Sequence, residues 1–96
     1  MCDPHARLVR LLARAAGADA TLVRASAEPW ISVTFGGMRH RLAFRVAAGD
    51  ADRLGQVPLE AITLPGHLLV DMGEVARRPD GVATVVEIDA LTLEAG

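Results

Sequence analysis

Three acidic side chains, Asp71, Glu87 and Asp89, lie on two segments near the C-terminus that alternate in hydrophobicity as strands do. If these segments form a hairpin, Asp71 faces Asp89, or faces Glu87 when the register slides by two residues. Like charges directly opposed on a sheet repel each other, so the cluster needs solvent, arginine or a cation. Carboxylate oxygens suit Ca²⁺ or Mg²⁺, but acids on strands most often form a solvated face. We therefore expect no metal site and regard arginine as the counterion.

Three arginines, Arg39, Arg41 and Arg45, lie on one face of another predicted strand, and Trp30 lies on the same face of the strand paired with it. Such a row can bind phosphate groups or single-stranded nucleic acid. The chain has a net charge of −2, one Trp and no Tyr, which leaves little electrostatic attraction or stacking surface for nucleic acid. We expect the arginines to pair with the acidic cluster, within the sheet or across a dimer. Anion or nucleic-acid binding through this row is kept as an alternative.

The sequence predicts no catalytic residues and no cofactor. His40 lies on an apolar strand face, where we expect a backbone group to satisfy it, and His5 has no clustered partner in the first turn of a predicted helix. Nothing in the spacing places Cys2, Ser26 or Ser32 beside a histidine and an acid, as nucleophilic catalysis requires. A small enzyme with its site at a dimer seam is a second alternative.

The bulk composition predicts one globular domain over residues 1–96. Apolar residues make up 51% of the chain and charged residues 23%, a balance that supports a modest core. The single cysteine, Cys2, cannot form an intrachain disulfide, which fits a reducing cytoplasm. All ten basic residues are arginine, a bias that GC-rich codons produce, so we expect a bacterial source. No apolar run is long enough for a membrane span, so we expect no membrane association.

Two helices are expected. Asp3 followed by Pro4 is typical of a helix start and Gly17 of a helix end, which predicts a helix over residues 4–16. A second, shorter helix over residues 51–56 is expected to be capped by Asp50.

The first predicted hairpin joins residues 30–35 to residues 38–46 through a two-residue Gly-Gly turn at 36–37. Glycine tolerates the positive φ angles that such turns require. This turn sets Glu28 opposite Arg45, an ion pair across the strands.

The second predicted hairpin joins residues 67–75 to residues 82–93 through a turn at 78–81, in which residue 78 faces residue 82. Residues 59–64 are expected to form a short strand, and residues 18–28 are left unassigned. The order αββαββ predicts an α+β fold with two layers, a mainly antiparallel four-stranded sheet and two helices on one face.

The second hairpin is apolar on both faces, although the helices can cover only one. The face expected to meet the helices carries Leu68, Val70, Met72, Ile88 and Ala90. The face expected to be exposed carries Leu69, Val75, Val85, Leu91 and Leu93. Exposed apolar patches usually mark an interface. A strand bulge near residue 90 is the alternative, because it would return Leu91 and Leu93 to the core.

We therefore expect a non-enzymatic protein-interaction or binding module that forms a homodimer through the outer face or the edge of its sheet. A second copy of the chain is the expected partner, and another protein is the next choice.

Overall fold

The structure is a computed structural model that describes residues 3–94; Cys2 lies outside this range. The helices are α1 (Pro4–Ala16) and α2 (Ala51–Gly55), and short 3₁₀ turns span Ala48–Asp50 and Leu59–Ala61. The strands are β1 (Thr21–Ile31), β2 (Gly36–Ala47), β3 (His67–Asp80) and β4 (Ala83–Glu94). They form one antiparallel sheet in the order β1-β2-β4-β3. The α+β fold and its αββαββ order are confirmed.

Helix α1 begins and ends where the sequence predicts. The Asp3 carboxylate accepts a hydrogen bond from the His5 backbone N–H at 3.0 Å, which satisfies one of the free donors at the helix start. Gly17 ends the helix with a φ of 103°, a conformation that favours glycine. None of the helices in residues 3–94 is long and apolar enough to cross a membrane.

The core lies between the helices and one face of the two central strands. Its buried residues are Leu8, Leu12, Ala16, Leu42, Phe44, Val46, Ala51, Leu54, Leu64, Val86, Ile88 and Ala90. The strand members of this set carry even numbers, as expected for strands that alternate between two faces. We call this side of the sheet the helix face, and the opposite side, where the odd-numbered residues of β2 and β4 lie, the outer face.

The predicted register of the first hairpin is wrong. Ile31 pairs with Gly36 and Glu28 pairs with Arg39 instead of Arg45, so the turn spans residues 32–35. The Ser32 hydroxyl orders this turn, because it accepts hydrogen bonds from the backbone N–H groups of residues 34 and 35 at 3.3 and 3.0 Å. The strand also extends back to residue 21, through a proline that is tolerated because β1 is an edge strand.

Gly37 lies inside β2 and not in the turn. A Cβ atom added there would overlap the backbone carbonyl oxygen of Thr92 on β4. The glycine at this position therefore permits a close approach between two strands, which is a second common reason for glycine in a strand.

The predicted register of the second hairpin is also wrong. Asp80 pairs with Ala83 across a two-residue turn in which Gly81 has a φ of 63°, so residue 78 does not face residue 82. Irregularities between Leu69 and Asp71 and between Glu74 and Ala76 shift the pairing along β3. Each inserts one residue into β3 and changes which face the following side chains occupy.

Two smaller predictions are corrected. Residues 59–64 form no strand and instead contain the 3₁₀ turn at Leu59–Ala61. The Asp50 side chain makes no capping bond to α2 and accepts a hydrogen bond from Arg53 Nη1 at 3.1 Å.

Candidate functional site

The five residues predicted to form an exposed interface do not share one surface. Val75 is 60% exposed, and Leu91 and Leu93 are half-buried on the outer face. Leu69 packs against the core instead, because it pairs with the buried Thr92 on the helix face. Val85 is 3% exposed and lies between two arginine-bearing positions on the neighbouring strands. The accessible apolar part of the predicted interface is therefore Val75, Leu91 and Leu93.

Two residues expected on the helix face are exposed. Leu68 pairs with Leu93 on the outer face and is 56% exposed, and Val70 is the residue inserted at the first irregularity of β3. Together with Trp30 and Gly37, Leu68 and Leu93 form one row across all four strands. This row is an apolar end of the outer face, beside the first hairpin turn.

The acids and arginines of the outer face lie on adjacent strands. Glu87 accepts hydrogen bonds from Arg24 Nη2 at 2.6 Å and from Arg78 Nη1 at 2.9 Å. Arg41 Nε lies 4.0 Å from an Asp89 carboxylate oxygen. Arg45 Nε lies 2.9 Å from a carboxylate oxygen of Asp80, an acid that does not belong to the predicted cluster. Exposed pairs of this kind contribute at most about 1 kcal/mol each to stability.

The predicted opposition of acids is wrong. Asp71 pairs with Leu91, and Asp89 pairs with Gly73, so no acid faces another across β3 and β4 in the part of the chain described. Arg39 and Asp71 flank Leu91 on either side, and within residues 3–94 neither takes part in an ion pair. Within the same range, no group of three or more His, Cys, Asp or Glu residues is placed to hold a metal ion.

Two shallow hollows lie on the outer face, one on each side of Val75. The first has a volume of about 370 Å³ and is lined by Arg24, Ser26, Arg41 and the acids opposite them. The second has a volume of about 310 Å³ and lies between Arg39 and β3. Because Val75 lines both hollows and projects from an irregular point of β3, it forms a raised apolar point between two polar depressions.

A histidine pair joins α1 to the sheet, which the sequence did not predict. His5 Nδ1 lies 3.0 Å from His40 Nδ1, the ring planes differ by 6°, and the ring centroids are 5.2 Å apart. That separation is close to the greatest that two imidazole rings joined at these nitrogens allow. The rings therefore lie end to end in one plane, as in an N–H···N hydrogen bond, and not face to face.

Burial disfavours the protonated form of His40. His40 is fully buried, and its desolvation, followed by the effect of His5, lowers the pKa of His40 to about 4. His40 Nε2 contacts the Thr92 hydroxyl at 2.9 Å, and that hydroxyl lies 3.5 Å from the Met38 carbonyl oxygen, so both ring nitrogens of His40 have a polar partner. The backbone partner expected for His40 is replaced by side chains of α1 and β4.

The sequence did carry a signal for this pair. His5 lies three and seven residues before Leu8 and Leu12, on the apolar face of α1, and His40 precedes Leu42 by two on the helix face of β2. Both histidines therefore occupy core-facing positions. Thr92, the one hydroxyl group in residues 3–94 that contacts a histidine, is as buried as His40 and offers no accessible nucleophile.

Comparison of the chain with protein-family models, with curated proteins and with solved structures finds no significant match in any of the three.

Proposed function

We propose that this protein is a homodimeric interaction module whose two copies join through the outer faces of their sheets. The observation that carries the proposal is the exposure of that face. Within residues 3–94, both helices contribute to the core on the helix face, whereas Val75, Leu68 and the half-buried Leu91 and Leu93 lie on the other side. Exposed apolar side chains on a face that no other element covers are typical of a site of association.

The distribution of charge supports a second copy as the partner. The β1–β2 half of the outer face carries four arginines and one acid: Arg24, Arg39, Arg41, Arg45 and Glu28. The β3–β4 half carries four acids and one arginine: Asp71, Asp80, Glu87, Asp89 and Arg78. One basic and one acidic half make a face complementary to itself, which favours a defined docking register between two copies.

The edges of the sheet are poorly suited to association. Edge strand β1 has an irregularity between Leu22 and Arg24 and contains Pro29. Edge strand β3 has two irregularities and contains Pro79. Bulges and prolines are features that prevent a further strand from adding to an edge. Association through the outer face is therefore favoured over a continuous sheet.

The size of the outer face is close to what a stable dimer needs. Four strands about 4.8 Å apart and about 11 residues long present a surface of about 700 Å². A standard specific interface buries about 800 Å² on each partner. The sheet face, with the adjoining residues of the first hairpin turn, thus approaches the area that a stable dimer needs.

The other two candidate functions stay predictions. Arg41 and Arg45 each form an ion pair with an acidic side chain. These pairs reduce the positive charge that the arginine row offers to phosphate. Arg39 has no ion-pair partner within residues 3–94, but one guanidinium is a small site. An enzymatic site at the dimer seam gains no support from His40 and Thr92, because both are buried on the helix face, away from the proposed seam.

The test compares Val75→Asp with Val82→Asp by light scattering at micromolar concentration. Val82 is 93% exposed in the turn between β3 and β4, so the same substitution there is a matched control. We expect wild type and Val82→Asp to have the mass of a dimer, and Val75→Asp, which buries a charge in the interface, to have that of a folded monomer. A monomeric wild type, or a Val75→Asp dimer as stable as the control, contradicts the proposal.

A further inference from the structure

We infer that the two copies are related by a two-fold axis that runs parallel to the strands, between β2 and β4, so that Val75 of each copy enters the first hollow of the other. This inference rests on the proposed dimer and specifies its geometry. It follows from which side chains each choice of axis brings together.

The strand order restricts the choices. In a sheet ordered β1-β2-β4-β3, a half-turn about an axis parallel to the strands places β1 against the partner's β3 and β2 against the partner's β4. Each residue then faces the partner at the same level along the strands. A half-turn about an axis perpendicular to the strands instead places every strand against its own copy and reverses the levels.

The parallel axis brings the apolar ends of the two faces together. In the row Trp30–Gly37–Leu93–Leu68, Trp30 faces the partner's Leu68, and Leu93 faces the partner's Gly37, which has no side chain to obstruct it. Large side chains therefore meet small or apolar ones, as close packing between two sheets requires.

The same axis brings opposite charges together near the centre. In the row Ser26–Arg41–Asp89–Gly73, Arg41 faces the partner's Asp89. Val75, beside Gly73 on β3, faces the partner's β1 at the level of Ser26. That is where the first hollow, of about 370 Å³, is lined by Arg24, Ser26 and Arg41. The Val75 side chain of each copy therefore lies over the first hollow of the other copy.

The perpendicular axis brings like charges together. It places the arginines of β2 against the partner's β2 arginines and the acids of β4 against the partner's β4 acids. Like charges opposed across an interface suppress association. It also sets the apolar row at Trp30 against the far end of the sheet, where Arg45 and Asp80 form an ion pair.

Chemical crosslinking distinguishes the two axes. Ser26→Cys and Gly73→Cys are made separately in a Cys2→Ser background; a Cβ at Gly73 has open space around it. A bis-maleimide that spans the separation of packed sheets, about 10 Å, is added to each variant alone and to their equimolar mixture. We expect the crosslinked dimer predominantly in the mixture, because residue 26 faces the partner's residue 73. Stronger crosslinking of either variant with itself overturns the parallel axis.

A charge exchange provides the second measurement. Arg41→Asp and Asp89→Arg each break the central contacts, so each variant alone is expected to dissociate at least tenfold more readily than wild type. When the two variants are mixed, residue 41 of each copy again faces an opposite charge at residue 89 of the other. A heterodimer should therefore form with about wild-type affinity, although neither chain regains its internal Arg41–Asp89 pair. No recovery on mixing contradicts the inference. A monomeric wild type rejects the dimer itself, whereas a wild-type dimer without recovery or mixed crosslinks rejects the axis alone.

Discussion

Acidification is expected to destabilise the fold through His40. Its pKa is lowered from 6.5 to about 4 by burial in the native state, whereas the unfolded chain keeps the ordinary value. Between these two values the unfolded chain binds a proton that the native protein does not, so stability falls as the pH is lowered through this window. The contribution is fully present above pH 6.5. Integrated from pH 7 to 4.5, the loss is about 2 kcal/mol.

The assay is urea unfolding of wild type and His40→Gln at pH 7 and at pH 4.5, followed by the helical circular dichroism signal. The glutamine amide can still contact Thr92, but it does not titrate. The variant is expected to be less stable at pH 7 and to lose about 2 kcal/mol less than wild type on acidification.

All other ionisable groups are the same in both proteins, so the difference between the two losses of stability isolates His40. His67→Gln is the control, because the His67 side chain contacts the Pro65 backbone oxygen and is not fully buried. That variant should keep the wild-type pH dependence. If wild type and His40→Gln lost the same stability on acidification, the conclusion that His40 is buried as an uncharged imidazole would be wrong.

Three further substitutions test the packing by urea unfolding. Leu12→Ala removes a fully buried side chain and should cost about 3 kcal/mol; a loss below about 1 kcal/mol would contradict its place in the core. Gly37→Ala should destabilise the sheet, because the new Cβ meets the Thr92 carbonyl oxygen, and wild-type stability would rule out this close approach. Leu69→Asp and Val85→Asp should each lower the stability by at least about 2 kcal/mol, and fully stable variants would show that both sites are exposed.

The sequence predicted the elements well where local chemistry determines them. Asp3, Pro4 and Gly17 mark α1 because capping depends on residues adjacent in the chain. The alternation along β2 and β4 correctly places the even positions on the helix face, although the odd residues Ala43 and Val85 are buried as well. Such patterns need no knowledge of what a strand pairs with, so they can be read without the tertiary structure.

The registers could not be predicted in the same way. A Gly-Gly pair suits a tight turn, yet Gly37 is required by a contact with β4, which the local sequence does not reveal. The apolar residues on both faces of β3 were interpreted as an interface, but part of that pattern comes from the irregularities that turn Leu69 inward. The histidine pair was not predicted, because His5 and His40 lie 35 residues apart in the sequence.

The mass of the wild-type protein in solution tests the central claim most directly. Light scattering over a dilution series should give twice the 10.1 kDa of one chain at micromolar concentration, and the mass should fall toward that of the monomer on dilution. A mass of one chain throughout the series would contradict association through the outer face.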